Sequence, residues 1–128
     1  MKISHLDHLV LTVVEIPTTV AFYENVLGMK GVSFGAGRIA LEFGNQKINL
    51  HQLGKEFEPK AQNVKCGSAD LCFITDAVLS DAMEHVRNQG VYIMEGPVKR
   101  TGAQGSITSF YFRDPDGNLI EVSTYSNT

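Results

Sequence analysis

The chain has 128 residues, of which 43% are hydrophobic and 20% are charged. A chain of this length forms a single soluble domain, because it can bury roughly two-thirds of its unfolded surface around one core. No apolar run approaches the roughly 20 residues of a membrane-spanning helix, and the first residues contain no apolar signal segment. The formal net charge of −3 comes from scattered charges without a basic stripe, which argues against binding to a phosphate backbone. We therefore expect a cytoplasmic protein whose partners include neither a membrane nor a nucleic acid.

The two cysteines, Cys66 and Cys72, lie six positions apart. This spacing matches neither a zinc knuckle nor a disulfide framework. We expect both to be free thiols, as is usual in a reducing compartment.

The first half of the chain predicts a strand, a helix and three further strands. Residues 8–13 are β-branched and apolar, which is typical of a largely buried strand. Pro17 suits the first turn of a helix over residues 17–27, and Gly28 ends its apolar stripe. Turns that contain glycine then separate three short predicted strands, at residues 31–34, 38–43 and 47–51.

The second half repeats this order after a polar stretch without clear periodicity. Residues 70–74 predict a strand, and residues 77–89 carry the apolar stripe of a helix that Gly90 ends. The remaining predicted strands lie at residues 91–94, 107–112 and 118–124.

An internal duplication explains the repeated order, because His8 to Gly28 and Asp70 to Gly90 both span twenty positions. The period exceeds that of solenoid repeats and indicates two paired modules instead. The sequence therefore predicts an α+β fold built from two βαβββ modules. We place the domain at residues 3–125, with modules at about 3–52 and 67–125 joined by a linker at 53–66.

Polar side chains share one face of four predicted strands, since side chains alternate across a strand. The other face of each strand is apolar and suited to pack beneath a helix. Ionisable groups inside a fold are costly unless they are paired or bound to a metal, so this polar face predicts a lined cavity. Its members are His8, Asn49, His51, Asp70 and Glu121.

Two imidazoles and a carboxylate form a ligand set that divalent first-row ions accept, with positions left open for a substrate. Ligands on separate strands make no short motif, however, so the residues alone leave an alternative. In that alternative, His8 and His51 are hydrogen-bonded structural histidines and Glu121 faces solvent.

The motifs LDHLVLTV at residues 6–13, FYENVLGM at 22–29 and RDPDGNLIE at 113–121 resemble the vicinal oxygen chelate superfamily. This superfamily contains glyoxalase I, fosfomycin-resistance proteins, extradiol dioxygenases and bleomycin-binding proteins. The resemblance covers nearly the whole chain and implies paired βαβββ modules that form a cupped mixed sheet. The finer pattern at residues 44–52 and 67–73 is similar to the branch called glyoxalase domain-containing protein 5.

The resemblance implies a metal held by ligands on the first, fourth, fifth and eighth strands. His8 and Glu121 match the first and eighth positions, whereas Asp70 stands where histidine is common. Asn49 stands where glyoxalase I has glutamate, and His51, two residues further along the same face, is expected to supply the missing imidazole. The implied site is a divalent ion (nickel, zinc, manganese or ferrous iron) on His8, His51 and Glu121, with Asp70 as a fourth ligand or an acceptor beside it.

The activity implied by the resemblance is that of a glyoxalase-like lyase or isomerase acting on a small substrate with vicinal oxygens. A metal acts there as a Lewis acid that stabilises an enolate or an oxyanion. A nearby carboxylate moves a proton from the carbon next to a carbonyl to the adjacent carbon. We expect Glu121 to be this base, with Asp70 as the second candidate.

Two other functions remain open from the sequence. Two histidines with one carboxylate are also the ligands of non-haem iron oxygenases, so an extradiol-type dioxygenase is one alternative. A metal-free small-molecule binding or resistance protein is the other.

Several surface features also permit two interpretations. Arginines and a lysine either hold an anionic group of the substrate or are solvated charges: Arg38, Lys47, Arg100 and Arg113. Residues 100–106 form either a lid or a plain hairpin connection. We also expect a symmetric homodimer, because two small open-edged modules gain stability from a second copy.

Overall fold

The structure is a computed structural model that describes residues 1–125. The chain folds as two compact units, residues 1–67 and the part that begins at Ser68. The first unit contains β1 (His8–Val13), α1 (Ile16–Leu27), β2 (Lys30–Phe34), β3 (Arg38–Phe43) and β4 (Gln46–Gln52). The second contains β5 (Asp70–Ile74), α2 (Leu79–Asn88), β6 (Glu95–Gly102), β7 (Gly105–Arg113) and β8 (Leu119–Tyr125). Neither of these two helices has the length and apolar character needed to cross a membrane.

The first sheet has the strand order β1-β4-β3-β2, with β1 and β4 parallel and the other pairs antiparallel. Helix α1 begins with Pro17 in its first turn and ends at Gly28, whose φ of 67° lets the chain leave the helix. Its residues Tyr23 and Val26 are buried with the apolar face of the sheet. The apolar alternation predicted for β1 and β4 therefore forms the core of this unit.

The second sheet repeats the topology with the order β5-β8-β7-β6, in which β5 and β8 are parallel. Phe110 and Phe112 are fully buried, and their rings stack with centroids 5.9 Å apart. Met83 and Val86 of α2 are also buried. Two four-stranded mixed sheets with two helices confirm the α+β class predicted from the sequence.

The sixth strand is where the sequence interpretation was wrong. Residues 91–94 were expected to form it, but they carry no regular element, and β6 runs over Glu95–Gly102 instead. Gly96 and Pro97 disfavour a strand in sequence terms. The sheet accommodates them because β6 is an edge strand, and its pairing with β7 shifts between Glu95 and Val98.

The segment at residues 100–106 is a hairpin connection and not a lid. Gly102 of β6 pairs directly with Gly105 of β7, so only two residues lie between the strands. Most of the segment therefore belongs to the sheet.

Side-chain hydrogen bonds fasten the turn between β7 and β8. Asp114 Oδ1 accepts from the backbone N–H of Asp116 at 3.0 Å and of Asn118 at 2.9 Å, while Asp114 Oδ2 accepts from Asn118 Nδ2 at 2.8 Å. Asn118 Oδ1 in turn accepts from the backbone N–H of Ala69 at 2.9 Å. Because Ala69 immediately precedes β5, this turn fixes where β8 begins beside β5.

Candidate functional site

Glu121 is the centre of the polar face of the second sheet. It lies on β8 directly opposite Cys72 of β5 and is partly exposed. Its Oε2 accepts hydrogen bonds from Ser109 Oγ at 2.6 Å and from Ser123 Oγ at 3.3 Å. Both serines are fully buried. One oxygen of this carboxylate is therefore held by the sheet.

Asp70 shares this face with Glu121. It is exposed and lies two residues before Cys72 on β5, which makes it a diagonal neighbour of Glu121 across the parallel pair. Both carboxylates line a cavity of about 430 Å³ in the second unit. In the described part of the chain, neither takes part in an ion pair. The structure thus brings together two of the four residues predicted to form the site.

Arg100 and Tyr111 form another wall of this cavity. Arg100 Nε donates to Tyr111 Oη at 2.9 Å, and Arg100 Nη2 donates to Glu95 Oε2 at 3.1 Å. Burial raises the pKa of the Tyr111 phenol, and the negative charge of Glu121 adds to the shift. Tyr111 therefore keeps its proton beside the Glu121 carboxylate.

Cys72 lies directly beside Glu121 and two residues after Asp70, on the same face. Its Sγ is 3.4 Å from Ser123 Oγ. Burial raises the pKa of the thiol first, and the Glu121 carboxylate raises it further. Because the thiolate is the nucleophilic form, this environment does not activate Cys72.

His8, the predicted first-strand ligand, lies at the start of β1 in the first unit. His8 is exposed, and its Nδ1 is 2.8 Å from Asp7 Oδ2. This hydrogen bond is the main cause that lowers the pKa of the Asp7 carboxyl. Metal-binding histidines usually have their second ring nitrogen engaged by such an acceptor, which leaves Nε2 for the ion.

His51 does not lie beside His8, although both belong to the same face. The parallel register places His8 opposite Lys47 and His51 opposite Thr12, so the two histidines are four positions apart along the strands. At the rise of a parallel strand, this separation is about 13 Å. Side chains stand roughly perpendicular to a sheet, so the two imidazoles do not meet at one ion. This geometry corrects the expectation that His8 and His51 share a metal.

His51 is instead part of the packing of the first unit. It is buried, and its ring meets the edge of Phe57 with centroids 5.7 Å apart. Its Nδ1 and the Oδ1 of Asn49 are buried without a hydrogen-bond partner. Within residues 1–125, no three His, Cys, Asp or Glu side chains are arranged to hold a metal.

The equivalent registers of the two sheets identify the residue of the first unit that corresponds to Glu121. Asn49 lies opposite Val10 as Glu121 lies opposite Cys72, so Asn49 occupies the position of Glu121. By the same register, His51 occupies the position of Ser123. The family resemblance had assigned Asn49 to the fourth-strand ligand position, and that assignment stays a prediction.

Four basic residues were candidates for holding an anionic group of the substrate, and two of them lie over aromatic rings in the first unit. Arg38 is 4.4 Å from the Phe57 ring centroid, and Lys47 Nζ is 3.8 Å from that of Phe34. The other two, Arg100 and Arg113, line the cavity beside Glu121.

Sequence reasoning missed Ser109 and Glu95 as parts of this site. Ser109 and Tyr111 alternate along β7 and pair with Ser123 and Glu121. The alternation of β7 places Ser109 and Tyr111 on one face of the strand. Assigning that face to the site required knowing that β7 is the antiparallel neighbour of β8.

Paired βαβββ units with a polar sheet face define a protein of the vicinal oxygen chelate class. Residues 5–122 match the model of the Glyoxalase/Bleomycin resistance protein/Dioxygenase superfamily. The chain belongs to this superfamily.

Similar proteins include Virulence protein STM3117 of Salmonella typhimurium, which is 58% identical over 98% of this chain and 87% of its own length. Glyoxalase domain-containing protein RDO1 of Mycosarcoma maydis is 55% identical over 99% of this chain and 72% of its own length. A solved structure from the mobile metagenome of V. Pseudocholerae is 87% identical, with a TM-score of 0.98 over 99% of this chain and 98% of that one.

Proposed function

We propose that the protein is a metal-dependent lyase or isomerase of the glyoxalase type, acting on a small substrate with two adjacent oxygens. The observation that supports this most is the pair of carboxylates, Asp70 and Glu121, on one sheet face beside a cavity of about 430 Å³. Neither is neutralised by an ion pair in the described residues. Neighbouring like charges repel each other, and a cation between them relieves the repulsion. Membership of the branch called glyoxalase domain-containing protein 5 is part of the same proposal.

In this proposal, carboxylate and imidazole groups would hold a divalent first-row ion, although no three such groups already converge within residues 1–125. Glu121 offers a carboxylate with one oxygen already fixed, and Asp70 offers an exposed carboxylate on the next strand. His8 remains a proposed ligand because its motif position matches and because Asp7 engages its other ring nitrogen. Nitrogen and oxygen ligands of this kind accept nickel, zinc, manganese or ferrous iron. When bound, such an ion supplies a Lewis acid that polarises a substrate oxygen.

The protein's own groups then carry out the proton transfer. The Glu121 carboxylate removes a proton from the carbon next to a carbonyl and returns it to the adjacent carbon, so the isomerisation consumes no other reactant. Asp70, which lines the same cavity, is the second candidate for this base. Tyr111 keeps its proton because burial raises its pKa, and it donates a hydrogen bond to the oxygen that gains charge.

The register weakens the dioxygenase alternative. That alternative rests on two histidines and one carboxylate at a single iron. Since His8 and His51 of one chain lie four positions apart on neighbouring strands, they do not form that set. A metal-free binding protein remains as the competing outcome of the experiment below.

We also propose a homodimer. β1 and β5 each form the edge of their own sheet. They carry exposed apolar side chains, Val10 at 46% and Ile74 at 50%. Open edges with apolar side chains favour pairing with another chain, and a second copy is the commonest such partner. A sedimentation measurement at micromolar concentration that finds only monomer contradicts this assembly.

The proposed activity is tested with protein purified without an affinity tag. Its metal content is measured, and the chelated protein is then titrated with Mn²⁺, Zn²⁺ and Ni²⁺ and assayed on adducts of 2-oxoaldehydes with thiols. Glu121→Gln and Asp70→Asn are expected to weaken metal binding and abolish turnover. Asp81→Asn, an exposed change on α2, is the matched control and leaves both unchanged. Equal metal binding by the wild-type protein and Glu121→Gln refutes the proposal, and ligand binding without turnover then identifies a binding protein.

A further inference from the structure

Two buried polar atoms of the first unit have no hydrogen-bond partner among the described residues. They are Oδ1 of Asn49 and Nδ1 of His51, and the two residues are only 9% and 7% exposed. Nearly all buried polar groups in native proteins are hydrogen-bonded, because an unpaired one loses its contacts with water without compensation. Two such atoms on one strand therefore indicate that a bound molecule completes their hydrogen bonds.

The bonding needs of these two atoms restrict what that molecule can be. An amide oxygen only accepts hydrogen bonds, so Asn49 Oδ1 requires a group that carries a hydrogen. Nδ1 of His51 accepts or donates according to the tautomer of the ring. The two side chains share one face of β4 at positions two residues apart, which is about 7 Å along the strand. A single small group with hydrogen-bonding atoms on two sides can bridge this gap.

Two cations flank the pair on the same face of the sheet. Lys47 precedes Asn49 by two residues on β4. The antiparallel register of β3 and β4, continued by one residue, places Arg38 beside His51. In the described residues, neither cation forms an ion pair. A negatively charged group between them would therefore gain two attractive interactions.

Two carboxylates border this cluster and oppose an anion only weakly. Glu42 lies opposite Lys47 on β3, but it is exposed, so water and salt screen its charge. Glu56, in the segment after β4, has its Oε2 engaged by the backbone N–H of Gly54 at 2.9 Å. Neither forms an ion pair with the two cations in the described residues, which leaves both cations available.

Aromatic rings hold both cations against this face, as the contacts of Arg38 with Phe57 and of Lys47 with Phe34 show. All four residues are half-buried, so the charges do not simply extend into solvent. The Phe57 ring also meets the ring of His51 and covers it. Side-chain rotations on binding are common, and a rotation of Phe57 together with Arg38 gives a ligand access to His51.

A phosphate group that retains a hydrogen meets both requirements of the cluster. Its charged oxygens accept from arginine and lysine, and its hydroxyl hydrogen is available to the amide oxygen. We propose that the first unit contains a binding site for such a group, carried either by inorganic phosphate or by a phosphate monoester. The site belongs to the first unit alone and depends on neither a metal ion nor the carboxylates of the second unit. The residues that form it are Arg38, Lys47, Asn49 and His51.

Isothermal titration calorimetry of the full chain at constant ionic strength compares inorganic phosphate with sulfate. The pH is about 6, where a phosphate monoester also keeps part of its hydrogen. Sulfate has the same shape and at least the same charge but no hydrogen to donate, so it leaves Asn49 Oδ1 unpaired. Phosphate is therefore expected to bind roughly 5- to 150-fold more tightly than sulfate, which is the effect of one unpaired buried acceptor. Glycerol 3-phosphate, titrated in parallel, distinguishes the two sources, because the tighter binder of the two phosphates identifies the source.

Two substitutions separate the hydrogen-bonding part of the site from its charged part. Asn49→Leu removes the amide oxygen with little change of volume and is expected to abolish the preference for phosphate over sulfate. Arg38→Gln is expected to weaken the binding of both anions and to retain the preference. Arg87→Gln, the same change at an exposed position of α2, is the matched control and is expected to alter neither affinity. Thermal unfolding of each variant is recorded in parallel.

The wild-type protein alone can refute the inference, by binding neither phosphate compound or by binding sulfate as tightly as phosphate. A preference for phosphate that persists in a folded Asn49→Leu chain also refutes it, and so do unchanged affinities in Arg38→Gln. If Asn49→Leu does not fold, the wild-type comparison and Arg38→Gln still decide the question. Equal metal binding by the wild-type protein and Glu121→Gln refutes the proposed function and leaves the phosphate site standing.

Discussion

Replacing Asn118 by alanine tests the role of the turn that joins β7 to β8. Asn118 is 2% exposed and forms two side-chain hydrogen bonds, one donated to Asp114 Oδ2 at 2.8 Å and one accepted from the N–H of Ala69 at 2.9 Å. The substitution removes both and leaves an oxygen of a buried carboxylate and a backbone N–H without these partners.

The magnitude follows from the cost of such unpaired groups. A buried donor or acceptor that loses its partner costs about 1–3 kcal/mol, with charged groups at the upper end. The Ala69 N–H is only partly buried, so water recovers some of its loss. We therefore expect Asn118→Ala to lower the free energy of unfolding by about 2–4 kcal/mol.

Urea denaturation followed by circular dichroism measures this loss. With a slope of about 2 kcal/mol per molar urea, the midpoint is expected to fall by roughly 1–2 M while the slope stays constant. Asn45→Ala, at an exposed position in the turn between β3 and β4, is the matched control and is expected to change stability by less than about 0.5 kcal/mol. A loss for Asn118→Ala no larger than that of Asn45→Ala refutes the reasoning.

Two further predictions concern single positions in the second unit. A Cβ at Gly96, where φ is 128°, would lie 2.6 Å from Phe110 Cα, whereas Gly105 has a φ of 129° and no atom within 4 Å. Gly96→Ala is therefore expected to cost about 1–3 kcal/mol more than Gly105→Ala in urea unfolding, and equal costs contradict the steric argument. Burial and the Glu121 charge raise the pKa of Cys72, so fewer thiolates exist in the folded chain at a given pH. In a Cys66→Ser background, Cys72 is expected to react with a disulfide reagent more slowly in the folded than in the urea-unfolded chain, and faster reaction of the folded chain refutes this.

Most of the fold could be predicted from the sequence because alternation and turn residues are local signals. The strand His8–Val13 and the strand Asp70–Ile74 begin and end where the pattern predicted. β6 could not be found in this way, because Gly96 and Pro97 are tolerated only at the edge of a sheet. Whether a segment becomes an edge strand depends on the order of the strands in the sheet. The sequence of a single segment does not encode that order.

The candidate site was predictable in its residue types and only partly in its geometry. Alternation placed Asp70 and Glu121 on one face, which the register of β5 and β8 confirms. The same rule placed His8 and His51 on one face, but a face extends along the strand as well as across it. The separation of the two histidines depends on the β1–β4 register, which no short motif encodes.

The turn at Asn118 also affects the position of Glu121, although Asn118 itself lies outside the strands of the second sheet. The hydrogen bond from the Ala69 N–H to Asn118 Oδ1 joins the residue just before β5 to the residue just before β8. It therefore sets which residues of the two strands stand opposite each other. Since neighbouring side chains point to opposite faces, a slip of β8 by one residue would turn Glu121 into the core and Ile120 out of it. A bond that touches no substrate therefore determines whether the carboxylate reaches the cavity at all.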